Sequence, residues 1–448
     1  MKKLLLCTLI LFPLSLSLAD EEEKRRSIDD TFVTAKLWTG TLEDIRTTYN
    51  PKEEKNDDGV TIIEDGYGKR TIKFKRAAKG FEWLSSQKMG LRAAGGQYTL
   101  LDQKVGEINL RSRNGKKIEQ VTISIFNRGD DGTLKQSEYD ELMSDWKAAL
   151  DEKLKKRAKE TRKAGAVKVD GYLWEKGRIA FLLEGSVNSK ENRIEFVRLR
   201  MGYADSLGQE NEATRRGDLV KNVLKKEDGD VLIPSVPMVD QGEKGYCVVA
   251  SVERVARYYG LDVDQHELAQ LANTDRDGTY PDEMEKAFKK LTGRIHVRTL
   301  RLMDYDYKQT ERDFKSYQRL AKKEKAKVFD IDLDTHYVIA QGFWAQADPE
   351  VFKQVKVKQP KYEFFKNKTK EYINQGVPIC WTLYLGMFKE GDMPQSHGGH
   401  MRLIVGYNES KEEILYTDSW GEGHELKRMP ASEAWCMTTG LYAMVPNQ

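Results

Sequence analysis

Apolar and polar residues follow one pattern before residues 222–234 and another after them, so we place a domain boundary in that segment. From about residue 28, short runs of β-type composition lie on either side of a helical pattern at residues 137–163. The chain before the boundary, residues 20–224, is therefore predicted to form an α+β domain. Its predicted strands cover residues 71–74, 97–101, 107–110, 119–126, 167–174, 178–184 and 193–201.

After the boundary, residues 233–446 are predicted to form a helical part followed by a sheet. A strand-like segment, Val236–Val239, leads into a turn and then into a helix that begins at Cys247. Apolar residues recur in this helix at three- and four-residue steps until Gly260 ends it. Further helices are predicted at residues 263–272 and within 304–370, the latter as a lid or an insertion, and strands at 378–385, 401–407 and 413–418.

The first residues have the composition of an export signal. Lys2 and Lys3 precede an apolar run, Leu4–Leu18, and small residues favour cleavage after Ala19. The run is shorter than the roughly 20 residues needed to span a bilayer and contains Pro13, so we expect no retained membrane segment. The sequence therefore predicts an exported protein, periplasmic or extracellular, whose N-terminal domain begins at residue 20.

Charge gives no reason to expect a nucleic-acid partner, because 74 basic and 71 acidic residues leave a net charge of only +3. Three cysteines follow the predicted signal: Cys247, Cys380 and Cys436. The last two lie in apolar surroundings and are predicted to be buried thiols, with a disulfide between them left open. The residues 20–224 contain neither cysteine nor histidine, so we expect the chemistry to lie after the boundary.

Four residues of the second block have the chemistry of a nucleophilic site. Cys247 begins a helix, where unpaired N–H groups and the helix dipole favour the thiolate. Gln241, six positions earlier, supplies an amide that can donate to an oxyanion. Much later come His400, in Gly-Gly-His-Met-Arg-Leu, and Asp418, in Tyr-Thr-Asp-Ser-Trp-Gly. Together they predict a Cys-His-Asp arrangement with an oxyanion donor.

These motifs, in this order, resemble those of the papain-like cysteine peptidases. Val-Pro before the glutamine, a Gly-x-Pro strand before the histidine, and Asp as third member are similar to the branch related to double-glycine leader peptidases. The resemblance covers residues 233–446 and implies a helical side facing an antiparallel β-sheet side. It implies Cys247 as nucleophile, His400 as general base and acid, Asp418 as the residue that orients the imidazole, and Gln241 as oxyanion donor.

Two positions depart from the papain pattern. Lys244 stands where many papain-type enzymes carry a disulfide cysteine, and Val248 replaces the tryptophan that usually follows the nucleophile. We also expect no counterpart of the ATP-driven transporter that is normally fused to leader peptidases. Substrate preferences should therefore not be transferred from papain, and cleavage of an exported double-glycine leader is only one option.

Metal or cofactor chemistry has weaker support in the sequence. His397, His400 and His424 lie in the C-terminal part, but neither His-Glu-x-x-His nor paired Cys-x-x-Cys motifs occur. The Asp130-Asp131-Gly132 segment lacks the alternating oxygen ligands of a calcium loop and is predicted to be an ordinary turn. No glycine-rich phosphate loop follows a strand. We therefore expect no metal and no cofactor.

The sequence thus predicts a secreted or periplasmic cysteine peptidase that hydrolyses peptide or protein substrates. Two alternatives remain: an amidase or transamidase acting on cell-wall peptides, and a catalytically silent papain-fold binding module. The substrate, the oligomeric state and the role of the N-terminal domain are not predicted.

Overall fold

The structure is a computed structural model of the 448-residue chain. It describes residues 25–447 apart from 51–58, 65–69, 76–79, 113, 165–166, 206, 208–213, 262, 277, 280–287, 291–296, 332–339 and 392–397. The predicted signal segment, residues 1–19, lies outside the described residues. Among the described residues, no helix has the length and apolar character needed to cross a membrane.

The N-terminal region, residues 25–203, is an antiparallel sheet with helices packed against it. Its helices are α1 (Asp29–Phe32), α2 (Lys36–Thr39), α3 (Leu42–Tyr49), α4 (Arg128–Asp131) and α5 (Gln136–Leu154). Its strands are β1 (Arg26–Ser27), β2 (Gly59–Glu64), β3 (Arg70–Lys75), β4 (Phe81–Trp83), β5 (Gly90–Ala93), β6 (Tyr98–Leu100), β7 (Gln103–Lys104), β8 (Ile108–Arg111), β9 (Gln120–Asn127), β10 (Lys159–Ala164), β11 (Lys168–Lys176), β12 (Ile179–Asn188) and β13 (Arg193–Tyr203).

The main sheet of this region has eight strands in the order β10-β11-β12-β13-β9-β8-β5-β4. The amphipathic helix α5 packs against β11, β12 and β13 and buries Trp146 and Leu150. Small pairings, β1-β6-β7 and β2-β3, complete the region. One cluster of buried apolar residues, from Ile28 to Met201, holds these elements together.

The C-terminal region, residues 214–447, combines helices with a second antiparallel sheet. Its helices are α6 (Cys247–Tyr258), α7 (Gln265–Ala272), α8 (Tyr307–Glu324), α9 (Pro349–Lys356), α10 (Pro360–Asn374) and α11 (Ala431–Met437), with a 3₁₀ segment at Arg216–Asn222 and a π turn at Ala340–Trp344. Its strands are β14 (Leu224–Lys225), β15 (Asp230–Leu232), β16 (Val297–Met303), β17 (Ile379–Leu385), β18 (Gly398–Asn408), β19 (Glu413–Thr417), β20 (Lys427–Pro430) and β21 (Thr438–Pro446).

The strands of this second sheet follow the order β14-β15-β18-β17-β21-β16, and β19 pairs with β18 and β20. Strand β17 is buried along its whole length, in agreement with its continuous apolar sequence. Helix α6 packs against β18, so that the two elements carrying Cys247 and His400 are direct neighbours. The α+β class predicted from the sequence is confirmed, with antiparallel sheets in both regions.

Two predicted elements are wrong. The helix predicted at residues 137–163 ends at Leu154, where Lys155 adopts a left-handed conformation with φ 52°. Asp151 then accepts hydrogen bonds from the Ala158 amide and the Trp174 indole, which turns the chain so that residues 159–164 pair with β11 as a strand.

The strand predicted at Val236–Val239 has no ladder partner. Pro237 lacks the N–H that a ladder needs, and its carbonyl oxygen accepts a hydrogen bond from Arg254 Nε at 2.8 Å. The segment is therefore bonded to helix α6 rather than to the sheet. The helices predicted within residues 304–370 are present as α8, α9 and α10.

Candidate active site

Cys247 is the first residue of helix α6, as its sequence context predicts. Val249, Val252 and Val255 of the same helix are fully buried, so the apolar face fixes the helix against the core. The side chain of the N-cap residue Tyr246 makes no capping hydrogen bond, so it does not occupy the backbone N–H groups of the first turn. The partly exposed thiol thus lies at a helix end whose dipole favours a negative charge.

His400 lies on β18 between a thiol and a carboxylate. Its Nε2 is 2.7 Å from Asp418 Oδ1, and its ring also interacts with the Cys247 side chain. Burial alone would lower the pKa of His400, but Asp418 and then Cys247 more than offset this and raise the pKa to about 9. The site therefore stabilises an imidazolium, which is the form that a thiolate partner requires.

The second oxygen of Asp418 is held by an arginine that the sequence analysis did not select. Arg402 Nε donates to Asp418 Oδ2 at 2.7 Å, and Arg402 Nη1 donates to Glu390 at 2.7 Å. Tyr416 donates its hydroxyl to the same Glu390 oxygen. Burial opposes the charge on Asp418, but His400 and Arg402 keep its pKa well below the usual range. Asp418 therefore stays ionised and fixed in orientation.

A sequence signal for Arg402 did exist. The residue stands in the apolar run of β18, two positions after His400, and alternate residues of a strand project to the same face. A charged residue in such a run needs a partner when it is buried, and Arg402 is fully buried. Asp418, already predicted to lie near His400, was the carboxylate with which Arg402 could pair.

Arg254 is a second residue that sequence reasoning missed. Located on α6 and almost fully buried, it donates to the Asp418 backbone oxygen at 2.7 Å and to Thr417 Oγ1 at 2.6 Å. Burial lowers its pKa to about 10, because it outweighs the opposing effect of the Asp418 and Glu425 charges. Arg254 thus joins the helix that carries Cys247 to the segment that carries Asp418, and so sets their spacing.

Gln241 lies in the loop before Cys247 and is held from both ends of its side-chain amide. Its Oε1 accepts from the Ser419 hydroxyl at 2.7 Å, and its Nε2 donates to the Lys244 carbonyl oxygen at 3.0 Å. An amide nitrogen carries two hydrogens, so one remains for another acceptor. The structure therefore places Gln241 against the segment that follows Asp418, in a fixed orientation.

Of the other candidate residues, two are buried thiols, one lies beside this group and one is outside the described chain. Cys380 and Cys436 are free and buried, and burial raises the pKa of each thiol to about 12. His424 packs edge-on against Trp420, which itself covers His400 with ring centroids 4.8 Å apart. His397 is outside the described residues. Within the part of the chain that the structure describes, no cluster of three or more His, Cys, Asp or Glu could hold a metal ion.

The raised pKa of His400 predicts how stability depends on pH. Because the folded-state pKa of about 9 exceeds the unfolded value of about 6.5, the protonated ring stabilises the fold fully below about pH 6.5. This contribution is lost as pH rises through about 9. We expect the free energy of unfolding to fall by about 3 kcal/mol across that window in the wild type, and less in His400→Gln. Urea unfolding at pH 6 and pH 9.5 measures this loss. An equal loss of unfolding free energy in the wild type and in His400→Gln would show that His400 is not the group responsible.

Two family comparisons cover most of the C-terminal region. Residues 235–345 match the Peptidase C39 family, and residues 352–442 match the Peptidase_C39 like family. The first match contains Gln241 and Cys247, and the second contains His400 and Asp418. No curated protein matches the chain.

Two solved structures are distantly similar to the chain. The peptidase domain of Streptococcus ComA, a bi-functional ABC transporter involved in a quorum sensing pathway, is 14% identical, with 47% of this chain and 98% of its own covered and a TM-score of 0.23. Xylellain, a cysteine protease from Xylella fastidiosa, is 12% identical, with 53% and 92% covered and a TM-score of 0.25. These TM-scores are too low to support a functional comparison, so the peptidase class is taken from the two family matches. Residues 235–442 are a cysteine-type peptidase, similar to the papain-like enzymes of the double-glycine peptidase branch.

Proposed function

We propose that Cys247, His400 and Asp418 are the catalytic triad of this peptidase and that Gln241 is its oxyanion donor. The observation that carries the proposal is the position of His400, whose Nε2 lies 2.7 Å from Asp418 Oδ1 and whose ring also interacts with the Cys247 side chain. This order of nucleophile, base and orienting carboxylate is the one that acyl transfer by a cysteine needs.

In the first half-reaction, Cys247 Sγ attacks the carbonyl carbon of the scissile peptide bond. Gln241 and the backbone N–H of Cys247 donate to the oxyanion that forms. The imidazolium of His400 then gives its proton to the leaving amine, and the C–N bond breaks. The product is a thioester between the substrate carbonyl and Cys247, with the free amine released.

In the second half-reaction, His400 takes a proton from a water molecule that attacks the thioester. The carboxylic acid leaves, and Sγ returns as a thiolate beside the protonated His400. Asp418 acts throughout by holding the imidazole orientation and stabilising its charge, and Arg402 keeps Asp418 in place. Trp420 covers one face of the imidazole ring.

Removing the oxyanion donor tests the role of Gln241. For Gln241→Ala we expect kcat for peptide hydrolysis to fall about 10²–10³-fold, because a donor that acts on the transition state is lost. KM should stay within a few-fold of the wild-type value. Steady-state kinetics on one cleaved peptide decides this, and an unchanged kcat would remove Gln241 from the mechanism.

The export signal predicted at residues 1–19 supports action outside the cytoplasm. Lys2, Lys3 and the apolar run up to Leu18 carry this part of the proposal. N-terminal sequencing of the protein from its native host is the direct check, with a mature chain beginning near Asp20 as the expected result.

Product analysis in ¹⁸O-labelled water separates peptide hydrolysis from the two alternatives. The protein is incubated with a peptide library from a digested bacterial proteome and, in parallel, with cell-wall peptides and a free primary amine. Hydrolysis places ¹⁸O in each new C-terminal carboxylate. The expected result is labelled cleavage products from the peptide library.

The other outcomes identify the other functions. Cleavage confined to cell-wall peptides would indicate an amidase, and incorporation of the amine without ¹⁸O would indicate a transamidase. Intact substrates in every reaction, with Cys247 unreactive, would indicate a silent binding module and overturn the proposal.

A further inference from the structure

The loop that precedes Cys247 touches the N-terminal region at every second residue. Asp240, Lys244 and Tyr246 each contact a residue between Arg92 and Asp130, and a Cβ built on Gly242 would lie against Arg92. Gln241, in the same loop, instead bonds to Ser419 of the C-terminal region. The loop thus has one side turned to each region, and the oxyanion donor is on the catalytic side.

Lys244 is the anchor at the centre of this contact. Its ammonium donates to Asp130 at 2.6 Å and lies 3.6 Å from Glu107, although only 2% of its side chain is exposed. Burial opposes the charge, but Glu107 and Asp130 raise the pKa of Lys244 above its ordinary value. A charged lysine buried this deeply is held in one position by its partners, because leaving them would expose an unpaired charge to an apolar interior.

Tyr246 is fitted against a glycine of the same N-terminal segment. Its hydroxyl donates to Asn127 at 3.2 Å, and a Cβ built on Gly129 would lie 2.5 Å from that hydroxyl oxygen. The tyrosine is almost fully buried, and the Lys244 ammonium lies 5.0 Å from the centre of its ring. Any side chain at position 129 would therefore displace the residue immediately before Cys247.

Arg92 of the N-terminal region contacts the first residue of the loop, Asp240. It pairs with Glu107 at 2.9 Å and lies 3.7 Å from Asp240. Gly242 has φ +73°, and a Cβ there would lie 2.8 Å from Arg92 Nη2. Only glycine suits this position, because the backbone has a positive φ and a side chain would collide with Arg92.

The anchored lysine connects directly to the oxyanion donor. The carbonyl oxygen of Lys244 accepts the hydrogen bond from Gln241 Nε2, while its side chain is fixed in the N-terminal region. We propose that the N-terminal region is a built-in part of the active site, which positions the oxyanion loop through Lys244 and Tyr246. This inference rests on the proposed function of Gln241 and gives residues 25–203 a role in the same reaction.

The matched pair Lys244→Met and Lys221→Met tests the inference in the full-length protein. Lys221 is also ion-paired, to Asp218 at 2.6 Å, but 74% of its side chain is exposed and it lies outside the loop. For Lys244→Met we expect kcat to fall about 10–100-fold with KM within about 3-fold, because the loss is in oxyanion stabilisation. Iodoacetamide alkylation of Cys247 needs no oxyanion donor, so its rate should stay within about 3-fold. Lys221→Met should leave both rates unchanged.

Gly129→Ala is the second variant. It tests the same inference if Lys244→Met does not fold. It leaves the buried charges in place and displaces only Tyr246, so the same separation of kcat from the alkylation rate is expected. An unchanged kcat in both folded variants would overturn the inference. A parallel loss of kcat and alkylation would also overturn it, since the effect would then lie in the Cys-His pair.

Hydrogen exchange separates failure of this inference from failure of the proposed function. If the wild type cleaves no peptide, the proposed function fails, and exchange at the backbone amides of residues 241–246 still reports on the loop. Faster exchange there in Lys244→Met than in Lys221→Met supports positioning by the N-terminal region. Equal exchange in the two variants overturns it.

Discussion

Replacing Cys247 with alanine is expected to reduce the rate of peptide hydrolysis by about 10⁴-fold or more. Only the residual rate supported by substrate binding and the oxyanion donors would remain. In the proposed mechanism the thiol forms the covalent intermediate, and alanine offers no atom that can attack a carbonyl. Removal of a nucleophile from a triad has effects of this size because the remaining members cannot act alone. The measurement is kcat/KM on one peptide identified as a substrate, with circular dichroism to show that the variant is folded.

The control for Cys247→Ala is Cys436→Ala. Cys436 is free but buried at the end of α11, and burial raises the pKa of its thiol to about 12. It should retain hydrolysis within a few-fold while losing some stability to the small cavity. If Cys247→Ala kept a tenth or more of the wild-type rate, Cys247 would not be the nucleophile.

Arg402→Met is expected to destabilise the protein by about 3–5 kcal/mol and to lower kcat as well. Methionine fills a similar volume but leaves the buried carboxylates of Asp418 and Glu390 without their shared cation. Breaking a buried pair by removing one partner costs this much because the remaining charge is desolvated and unpaired. Activity should fall because Asp418 is then free to turn away from His400. Urea unfolding and steady-state kinetics measure the two effects.

The matched control is Arg162→Met, the same substitution at an exposed pair. Arg162 lies 2.8 Å from Asp170, with side-chain exposures of 80% and 59%. Such pairs contribute less than about 1 kcal/mol, since water screens both charges. A loss at Arg402→Met no larger than at Arg162→Met would show that the buried network does not hold Asp418.

Sequence reasoning found the four proposed catalytic residues because each has a chemical type and a local context that can be read along the chain. Cys247 begins a helix with an apolar face, and His400 directly precedes the predicted apolar strand 401–407, which is part of β18. Their family context is confirmed by the two matches. The catalytic roles remain proposals that the experiments above decide.

The supporting residues could not be found in this way, because their roles come from partners distant in sequence. Arg254 acts on Asp418, 164 positions later, and Lys244 bonds to Asp130, 114 positions earlier. The Asp130-Asp131-Gly132 segment was predicted as an ordinary turn. It forms the end of the short helix α4 and supplies the carboxylate that receives Lys244.

Boundary errors have a similar cause. The helix predicted to reach residue 163 has a lysine-rich end that suits a helix locally, but pairing with β11 makes residues 159–164 a strand. Strand β21 was not predicted, although it lies between β17 and β16 in the second sheet. At residues 159–164 tertiary pairing outweighs the local preference.

Alkylation by iodoacetamide at pH 6.5, located by peptide mass spectrometry, tests the central claim most directly. The chain contains its own controls, since burial raises the pKa of Cys380 and of Cys436 to about 12 and both should stay unlabelled. The account predicts fast labelling of Cys247 alone in the wild type and a loss of at least about 10-fold in His400→Ala. Equal labelling of Cys247 in the two proteins, or none in the wild type, would contradict a Cys247–His400 pair.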